Sequence, residues 1–394
     1  MGRQFKVLML NQISANGLKR LPSATYTTGR NIPDPDAVLV RSADMHAMDI
    51  AASVRAIGRA GAGTNNIPVK AMSTRGVPVF NAPGANANAV KELVLAGMLM
   101  AARNLAPAQR FVEQLDPGAS DLDKAVEEGK KSFAGSELAR QTLGIIGLGK
   151  IGCLVADAAI KLGMDVLGYD PDITVDAAWS LPAQVKKASS VADVLKNANF
   201  ISLHVPLVDA TRNLVNEANI GLTVPGAVLL NFSRDGVVSD AAVLSALDAG
   251  KLGWYVCDFP SGKILRHPKV IALPHLGAST REAEENCAIM VADQLRDYLE
   301  HGNIRNAVNF PNVEMERESR FRVAIANANV PNMLGQISTA MAHAGLNIHT
   351  MVNKSRGDMA YTLVDVDSPV ADSVIAALMG IEGVLAVRYL PQAE

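Results

Sequence analysis

The chain has 394 residues, 49% hydrophobic and 19% charged, which is apolar material for two or three cores and too little charge for disorder. Lys plus Arg (37) and Asp plus Glu (39) nearly cancel without any run of like charge, so the electrostatic footprint of a nucleic-acid or anionic-membrane binder is missing. The longest apolar stretch, 93–102, is short of the roughly 18 residues that span a bilayer, and VLML is too short for a secretory signal. Cys153, Cys257 and Cys287 lie far apart and are odd in number, which excludes a disulfide framework and a paired-cysteine metal site. A cytoplasmic globular protein without a metal is expected.

In chain order, FKVLML and AVLVRS predict strands, and VRAIGRAG a strand running into a glycine-rich loop. From Asn86, NANAVKELVLAGMLMAARNL has helical apolar spacing and an Asn-rich start. The following DPGASDLDKAVEEGKKSFAGSEL is polar and glycine-punctuated and predicts a loop region. From Gln141, six apolar runs (TLGIIGLG, DVLGYD, FISLHVP, AVLLNFS, WYVCDF, VIALPH) are separated by segments long enough for helices. That alternation predicts an α/β fold with a Rossmann-type, doubly wound parallel sheet. REAEENCAIMVADQLRDYLEHG predicts a long amphipathic helix, and residues 303–319 a polar linker. The last 75 residues read strand, helix closed by Gly345, two strands about KSRGD, helix, strand. This βαββαβ order is ferredoxin-like, and so small a unit is expected to dock or pair with another copy.

Chemistry concentrates in four places. Gly147-Leu148-Gly149-Lys150-Ile151-Gly152 follows the run TLGII and opens a predicted helix. In such a loop the first glycine makes the tight turn, the second lets the backbone approach a pyrophosphate, and the third lets helix and strand pack closely. Asp170, 18 residues after Gly152, suits the two adenosine ribose hydroxyls and repels a 2′-phosphate; with no Arg beside it, NAD is favoured over NADP. Arg234 in NFSRDGVV and His275 in VIALPHLGAST each follow a buried strand at its C-terminal end, where open α/β sheets bind ligands. An Arg there can fork onto a carboxylate, and an imidazole there can take a hydroxyl proton as hydride leaves carbon. His204, in FISLHVPL, falls near the cofactor edge.

Taken in order, GLGKIG, HVPL, NFSRDGVV and LPHLGAST resemble the D-isomer-specific 2-hydroxyacid dehydrogenases. VRSAD, GRAGAGTNNI and NAPGANANAVKELVLAGML are similar to the D-3-phosphoglycerate dehydrogenase branch, and the C-terminal unit to its ACT domain. The resemblance implies a flavodoxin-like substrate domain of residues 1–97 plus 277–305, an NAD-binding domain 98–276, the linker 303–319 and an ACT regulatory domain 320–394. It implies oxidation of D-3-phosphoglycerate to 3-phosphohydroxypyruvate with NAD, the first step of L-serine biosynthesis. Alternatives are another D-2-hydroxyacid as substrate, or a non-catalytic NAD or amino-acid sensor.

By the same resemblance, Arg234 binds the substrate carboxylate and 2-oxygen and His275 is the general acid/base. Asp258 holds the nicotinamide carboxamide, and Lys150, Ile151 and Pro206 belong to the cofactor set. Arg41 and Arg59 lie near the substrate phosphate, and the backbone of Ala62 and Gly63 approaches the substrate carboxylate. Asn327, Asn329 and Asn347 match loops that bind L-serine as effector, with Asn327 standing where a His is often found. A homodimer or homotetramer is implied. One departure stands out: the Glu that usually pairs with the catalytic His is missing from DFPSGKILRHP, leaving Asp258, Glu282 and Glu284 as candidate partners for His275.

Overall fold

The computed structural model describes residues 4–392. It divides into two compact units, one made of the chain up to Asn86 and from Arg281 onward, the other of Ala87–Thr280. In the first, β1 (Phe5–Leu10), β2 (Tyr26–Gly29), β3 (Ala37–Val40), β4 (Ala56–Arg59) and β5 (Val79–Phe80) form a parallel sheet in the order β2-β1-β3-β4-β5. All four residues of β3 are buried, as an all-apolar strand of a doubly covered parallel sheet must be. The long helix Arg281–His301 lies tightly on this sheet. A Cβ at Gly58 would come within 2.5 Å of Val291 and 2.8 Å of Leu295, and one at Gly17 within 2.6 Å of Ala288.

The second unit carries β6 (Thr142–Ile146), β7 (Asp165–Tyr169), β8 (Lys186–Lys187), β9 (Phe200–Leu203), β10 (Ala227–Asn231), β11 (Leu252–Cys257) and β12 (Val270–Ala272). They form one parallel sheet in the order β12-β11-β10-β9-β6-β7-β8, the doubly wound arrangement expected from the six apolar runs. The extra strand β8 is two exposed lysines, paired to β7 by backbone and by the Lys186–Asp165 ion pair at 3.0 Å, so it leaves no apolar signal. The strand order reverses between β6 and β9, where such sheets bind their ligands.

After β12 the chain re-enters the first unit with the long helix and continues into its C-terminal part. There β13 (Phe321–Ala328), β14 (Ile348–Arg356), β15 (Met359–Val366) and β16 (Val384–Pro391) make an antiparallel sheet in the order β14-β15-β13-β16. Helices Met333–His343 and Asp372–Met379 complete the βαββαβ order, and Gly345 closes the first of them at φ +75°.

Three features differ from the sequence reading. Helices Leu105–Glu113 and Leu122–Gly129 and a short 3₁₀ turn Lys130–Phe133 occupy much of the stretch around the expected loop. Neither helix buries a residue, so the apolar spacing is too sparse to be seen through the charges; the contact that ties them is Phe111 against Phe133 at 5.4 Å. The boundary expected at residue 97 falls at 86, because helix Ala87–Ala102 packs as one rigid piece in the second unit. A Cβ on its Gly97 would meet Phe232 and Val256 at 3.0 Å. Finally, 303–319 is no polar linker. Ile304, Ala307, Phe310, Val313 and Met315 are buried, and Ile304 and Val313 exchange backbone hydrogen bonds of 2.8 and 2.9 Å. Their core includes Phe80, Tyr298, Tyr361, Leu363 and Leu390, so the C-terminal sheet shares a core with the N-terminal one. No helix of the described residues is long and apolar enough to cross a membrane.

Candidate active site

Along the C-terminal edge of the seven-stranded sheet the expected residues fall in spatial order. His275 follows β12, Asp258 β11, Arg234 β10, His204 β9, the Gly147 loop β6 and Asp170 β7. Gly147 has φ +95° and donates its N–H to the Tyr169 carbonyl at 2.9 Å; a Cβ there would sit 2.5 Å from the His204 carbonyl oxygen. A Cβ on Gly152 would collide with the Gly147 carbonyl, so only glycine lets helix Lys150–Lys161 pack on β6. Around Gly149 nothing lies within 4 Å of a Cβ, and this helix N-terminus has no side-chain cap. The open cradle and uncapped N–H groups fit a diphosphate. Lys150 and Ile151 form the helix's first turn, with Lys150 exposed. Asp170 accepts from Leu148 N at 2.8 Å and Asp172 N at 3.0 Å, which fixes its carboxylate while each oxygen keeps a lone pair for a ribose hydroxyl.

His204 shares a hydrogen between Nε2 and Ser202 Oγ at 2.9 Å, while its buried Nδ1 has no partner among the described residues. Burial pushes its pKa down to about 4, so the ring is neutral at pH 7. Pro206 is exposed two residues on, its carbonyl accepting from Thr211 Oγ1 at 2.5 Å.

Arg234 is half-buried with a single hydrogen bond, Nη1 to the adjacent Ser233 carbonyl at 2.7 Å, and it has no carboxylate partner among the described residues. Burial lowers its pKa. Asn231 sets this loop: Nδ2 donates to the Arg234 carbonyl at 3.0 Å, and Oδ1 accepts from Ser233 N and Oγ at 3.2 and 2.9 Å. The sequence reading passed over Asn231, although a polar residue ending an all-apolar strand must find partners. Asp258 is 1% exposed, and burial raises its pKa against the pull of the Leu276 and Gly277 N–H groups and of nearby His275. Its Oδ1 accepts from Leu276 N at 2.7 Å and Oδ2 from Gly277 N at 2.8 Å, while its carbonyl accepts from His275 N at 3.0 Å. Between these bonds His275 is held at φ +57°, in the left-handed region that costs a non-glycine residue about 1 kcal/mol or more.

Among the described residues none of the three candidate acids hydrogen bonds to the His275 ring, although Asp258 is close enough for the two charges to interact. Asp258 is committed to Leu276 and Gly277, Glu282 pairs with Arg281 at 3.3 Å, and Glu284 pairs with Arg41 at 2.5 Å. The imidazole instead packs on Phe259, ring centroids 4.7 Å apart, and no hydrogen bond to its nitrogens forms among the described residues.

In the other unit, Arg41 Nη2 meets Glu284 in the first turn of the long helix, and Arg59 Nε donates to the Arg41 carbonyl at 3.0 Å. Gly61 lies beneath the Arg59 guanidinium, which a Cβ there would push aside. Both arginines act on Cys287, one turn along the helix from Glu284: burial raises the thiol's pKa and the two cations oppose the rise. Ala62 and Gly63 are half-exposed, and Asn81 Nδ2 fixes the loop through the Ala62 carbonyl at 2.5 Å. Glu284 as the partner of Arg41 and Asn81 as the loop's anchor are absent from the sequence reading, because both contacts join distant parts of the chain.

The effector set is not assembled within one chain. Asn327 is buried on β13 opposite Ala360, with Nδ2 on the Ala328 carbonyl at 2.7 Å and Oδ1 unpartnered. Asn329 binds the Gly357 carbonyl at 3.0 Å at that same end of the sheet. Asn347 precedes Ile348, whose partner Val366 pairs with Phe321, so it lies at the opposite end.

Residues 95–277 match the family described as D-isomer specific 2-hydroxyacid dehydrogenase, NAD binding domain. The chain is 30% identical to the D-3-phosphoglycerate dehydrogenase of Escherichia coli (strain K12), covering 98% of both chains. It is 34% identical to the D-3-phosphoglycerate dehydrogenase of Methanocaldococcus jannaschii over 80% of this chain, but spans only 59% of that relative's length. Among solved structures, the NAD⁺-bound 3-phosphoglycerate dehydrogenase of Entamoeba histolytica superposes with TM-score 0.60 and 24% identity, over 77% of this chain and 98% of that one, a likeness of fold. The sheet order, the glycine loop and these relatives agree: the chain belongs to the D-isomer-specific 2-hydroxyacid dehydrogenase family.

Proposed function

We propose that this chain oxidises D-3-phosphoglycerate to 3-phosphohydroxypyruvate with NAD, the entry step of L-serine synthesis. The observation that carries the reading is Arg234: a half-buried cation beyond the end of β10, its loop set by Asn231, with no counter-ion among the described residues. A guanidinium left so underused is a receptor for a carboxylate, which it binds as a fork. NAD held by the Gly147–Gly152 loop, Asp170 and the region of His204 and Asp258 supplies the hydride acceptor. A ring nitrogen of His275 takes the proton of the 2-hydroxyl as that carbon becomes a carbonyl, and returns it in reduction. Phe259 packs against the imidazole and orients it. Arg41 and Arg59 face the phosphate, and the Ala62–Gly63 backbone the substrate carboxylate.

The same reading extends to assembly and control in the cytoplasm, in keeping with three free buried thiols. Helices Leu105–Glu113 and Leu122–Gly129 expose Leu105, Val112 and Val126, faces suited to a second copy in a homodimer or homotetramer. L-serine as effector fits only if Asn347 of one copy meets Asn327 or Asn329 of another.

The test is NADH absorbance with 3-phosphohydroxypyruvate, the easier direction. Wild type consumes NADH and prefers this substrate to unphosphorylated hydroxypyruvate, and His275→Ala loses about 10²–10⁴-fold in rate. NADH binding without consumption overturns the reading in favour of a sensor, and equal use of both substrates removes Arg41 and Arg59 from the site.

A further inference from the structure

The end of the long helix is held in an unusual way. The last carbonyls of a helix have no partner within it. Here five successive carbonyls, from Tyr298 (which also accepts from Gly302 N at 2.9 Å) to Gly302 just past the helix end, each accept from a side chain of the C-terminal sheet or of the segment leading to it. Arg388 on β16 donates Nη1 to Tyr298 at 3.1 Å and Nη2 to Leu299 at 2.9 Å, with its guanidinium 4.4 Å over the Tyr298 ring. Arg317 reaches the Glu300 carbonyl at 3.4 Å, Arg322 on β13 that of His301 at 3.1 Å, and the Tyr361 hydroxyl on β15 that of Gly302 at 2.7 Å. Gly302, at φ +78°, is pressed on the sheet so closely that a Cβ would lie 2.9 Å from Leu390 and 3.0 Å from Leu363.

The opposite end of the same helix holds Arg41 through Glu284. Between the ends the helix is seated closely on Gly17 and Gly58, where a Cβ would meet Ala288, Val291 and Leu295. A helix of 21 residues spans about 31 Å. It is a stiff rod with the C-terminal sheet clamped at one end and a substrate-facing arginine at the other, and cations at a helix C-terminus and acids at its start both suit its dipole.

We propose that Arg388, Arg322 and Tyr361 are positioning residues for substrate binding: by fixing the carbonyl end of the Arg281–His301 helix they fix Glu284, and through it Arg41, so that whatever moves the C-terminal sheet changes the affinity for the phosphorylated substrate rather than turnover. The proposal rests on the reading of Arg41 as a phosphate-facing residue. The coupling has a physical carrier, one continuous packed element biased at both ends.

The experiment compares full-length wild type, Tyr361→Phe, Glu284→Gln and the double variant. Tyr361→Phe removes one hydroxyl and keeps the ring. The expected result is a rise of about three- to ten-fold in KM for 3-phosphohydroxypyruvate in each single variant, with kcat and the KM for NADH within two-fold. The double variant should be no worse than the more severe single, because both changes act through one element. A change confined to melting temperature, or KM effects that multiply, overturns the proposal. Hydrogen exchange is read in parallel and needs no activity. Amides 284–291 should exchange faster in Tyr361→Phe although the substitution lies at the other end, and faster exchange limited to 296–305 also overturns it. If wild type fails to turn over 3-phosphohydroxypyruvate, the functional reading falls while exchange alone decides the rod. Should Tyr361→Phe not fold, Arg388→Lys, which keeps the charge but cannot fork two carbonyls, takes its place with the same expectations.

Discussion

Arg322, on β13 of the C-terminal sheet, and Arg234, just beyond β10 of the nucleotide sheet, are both withdrawn from water, and their surroundings differ completely. Arg322 is fully buried, with Nε and Nη2 forked onto Asp365 at 2.6 and 2.9 Å. Its remaining donors go to the carbonyls of His301, Met315 and Glu316 at 3.1, 3.0 and 2.8 Å. Arg234 makes one bond, to its own neighbour. Burying a cation is costly unless its donors are met. A cation whose donors are all met within the chain is part of the fold; one left short in a half-buried place is matched to something that arrives from outside.

Exchanging each for methionine should produce crossed outcomes. Arg322→Met leaves the Asp365 carboxylate buried without the cation it is forked onto, and should lower unfolding stability by about 3–5 kcal/mol in a urea titration. Replacing both partners, Arg322→Met with Asp365→Leu, should restore most of that loss, since a buried pair roughly balances its own desolvation. Arg234→Met should leave the urea midpoint nearly unmoved and reduce kcat/KM by about 10²–10³-fold, as loss of a preorganised charge in a site does. Equal destabilisation by the two substitutions would dissolve the distinction.

A smaller effect is expected at Asp258, which resembles Arg322 in being satisfied and Arg234 in its place on the sheet edge. Asp258→Ala frees the Leu276 and Gly277 N–H groups, and with them the left-handed backbone of His275. Displacing a reacting group by about 1 Å costs on the order of 10²-fold in rate. The measurement is single-turnover NADH oxidation; a fall in NADH affinity with unchanged turnover would assign Asp258 to the cofactor alone.

What the sequence showed and what it hid follow the same division. The Gly147–Gly152 loop, Asp170, Arg234 and His275 were legible because a strand end followed by a special residue is a local pattern, and the sheet then places all of them on one edge. The βαββαβ order was legible from periodicity alone. Glu284 on Arg41 was hidden because the two are 243 residues apart and nothing local marks a partner. The dock of the C-terminal sheet was hidden for a related reason. Residues 303–319 look polar on average, yet Ile304, Ala307, Phe310, Val313 and Met315 enter one core while Val308 packs on another, and nothing local to Arg317, Arg322 and Arg388 marks the helix carbonyls they serve.

The two regions should also separate under acid. His204 has its pKa depressed by burial from the ordinary ~6.5 to about 4. A depressed histidine contributes stability that is complete above its unfolded value and is lost as pH falls from about 6.5 toward 4, here at most about 3 kcal/mol. Asp365 behaves differently. Burial pushes its carboxyl up, but Arg322 and the Glu318 N–H outweigh this and hold it below the ordinary carboxylate range. Its contribution is therefore intact above the unfolded value of about 3.9 and disappears only below it. Urea midpoints between pH 7 and pH 3 should accordingly show the nucleotide unit weakening first and the unit with the C-terminal sheet second. His204→Asn should flatten the first limb and leave the second untouched. An unchanged first limb in that variant would mean that the imidazole is already hydrated in the folded chain, and that its unpartnered Nδ1 faces water rather than a place kept for a ligand.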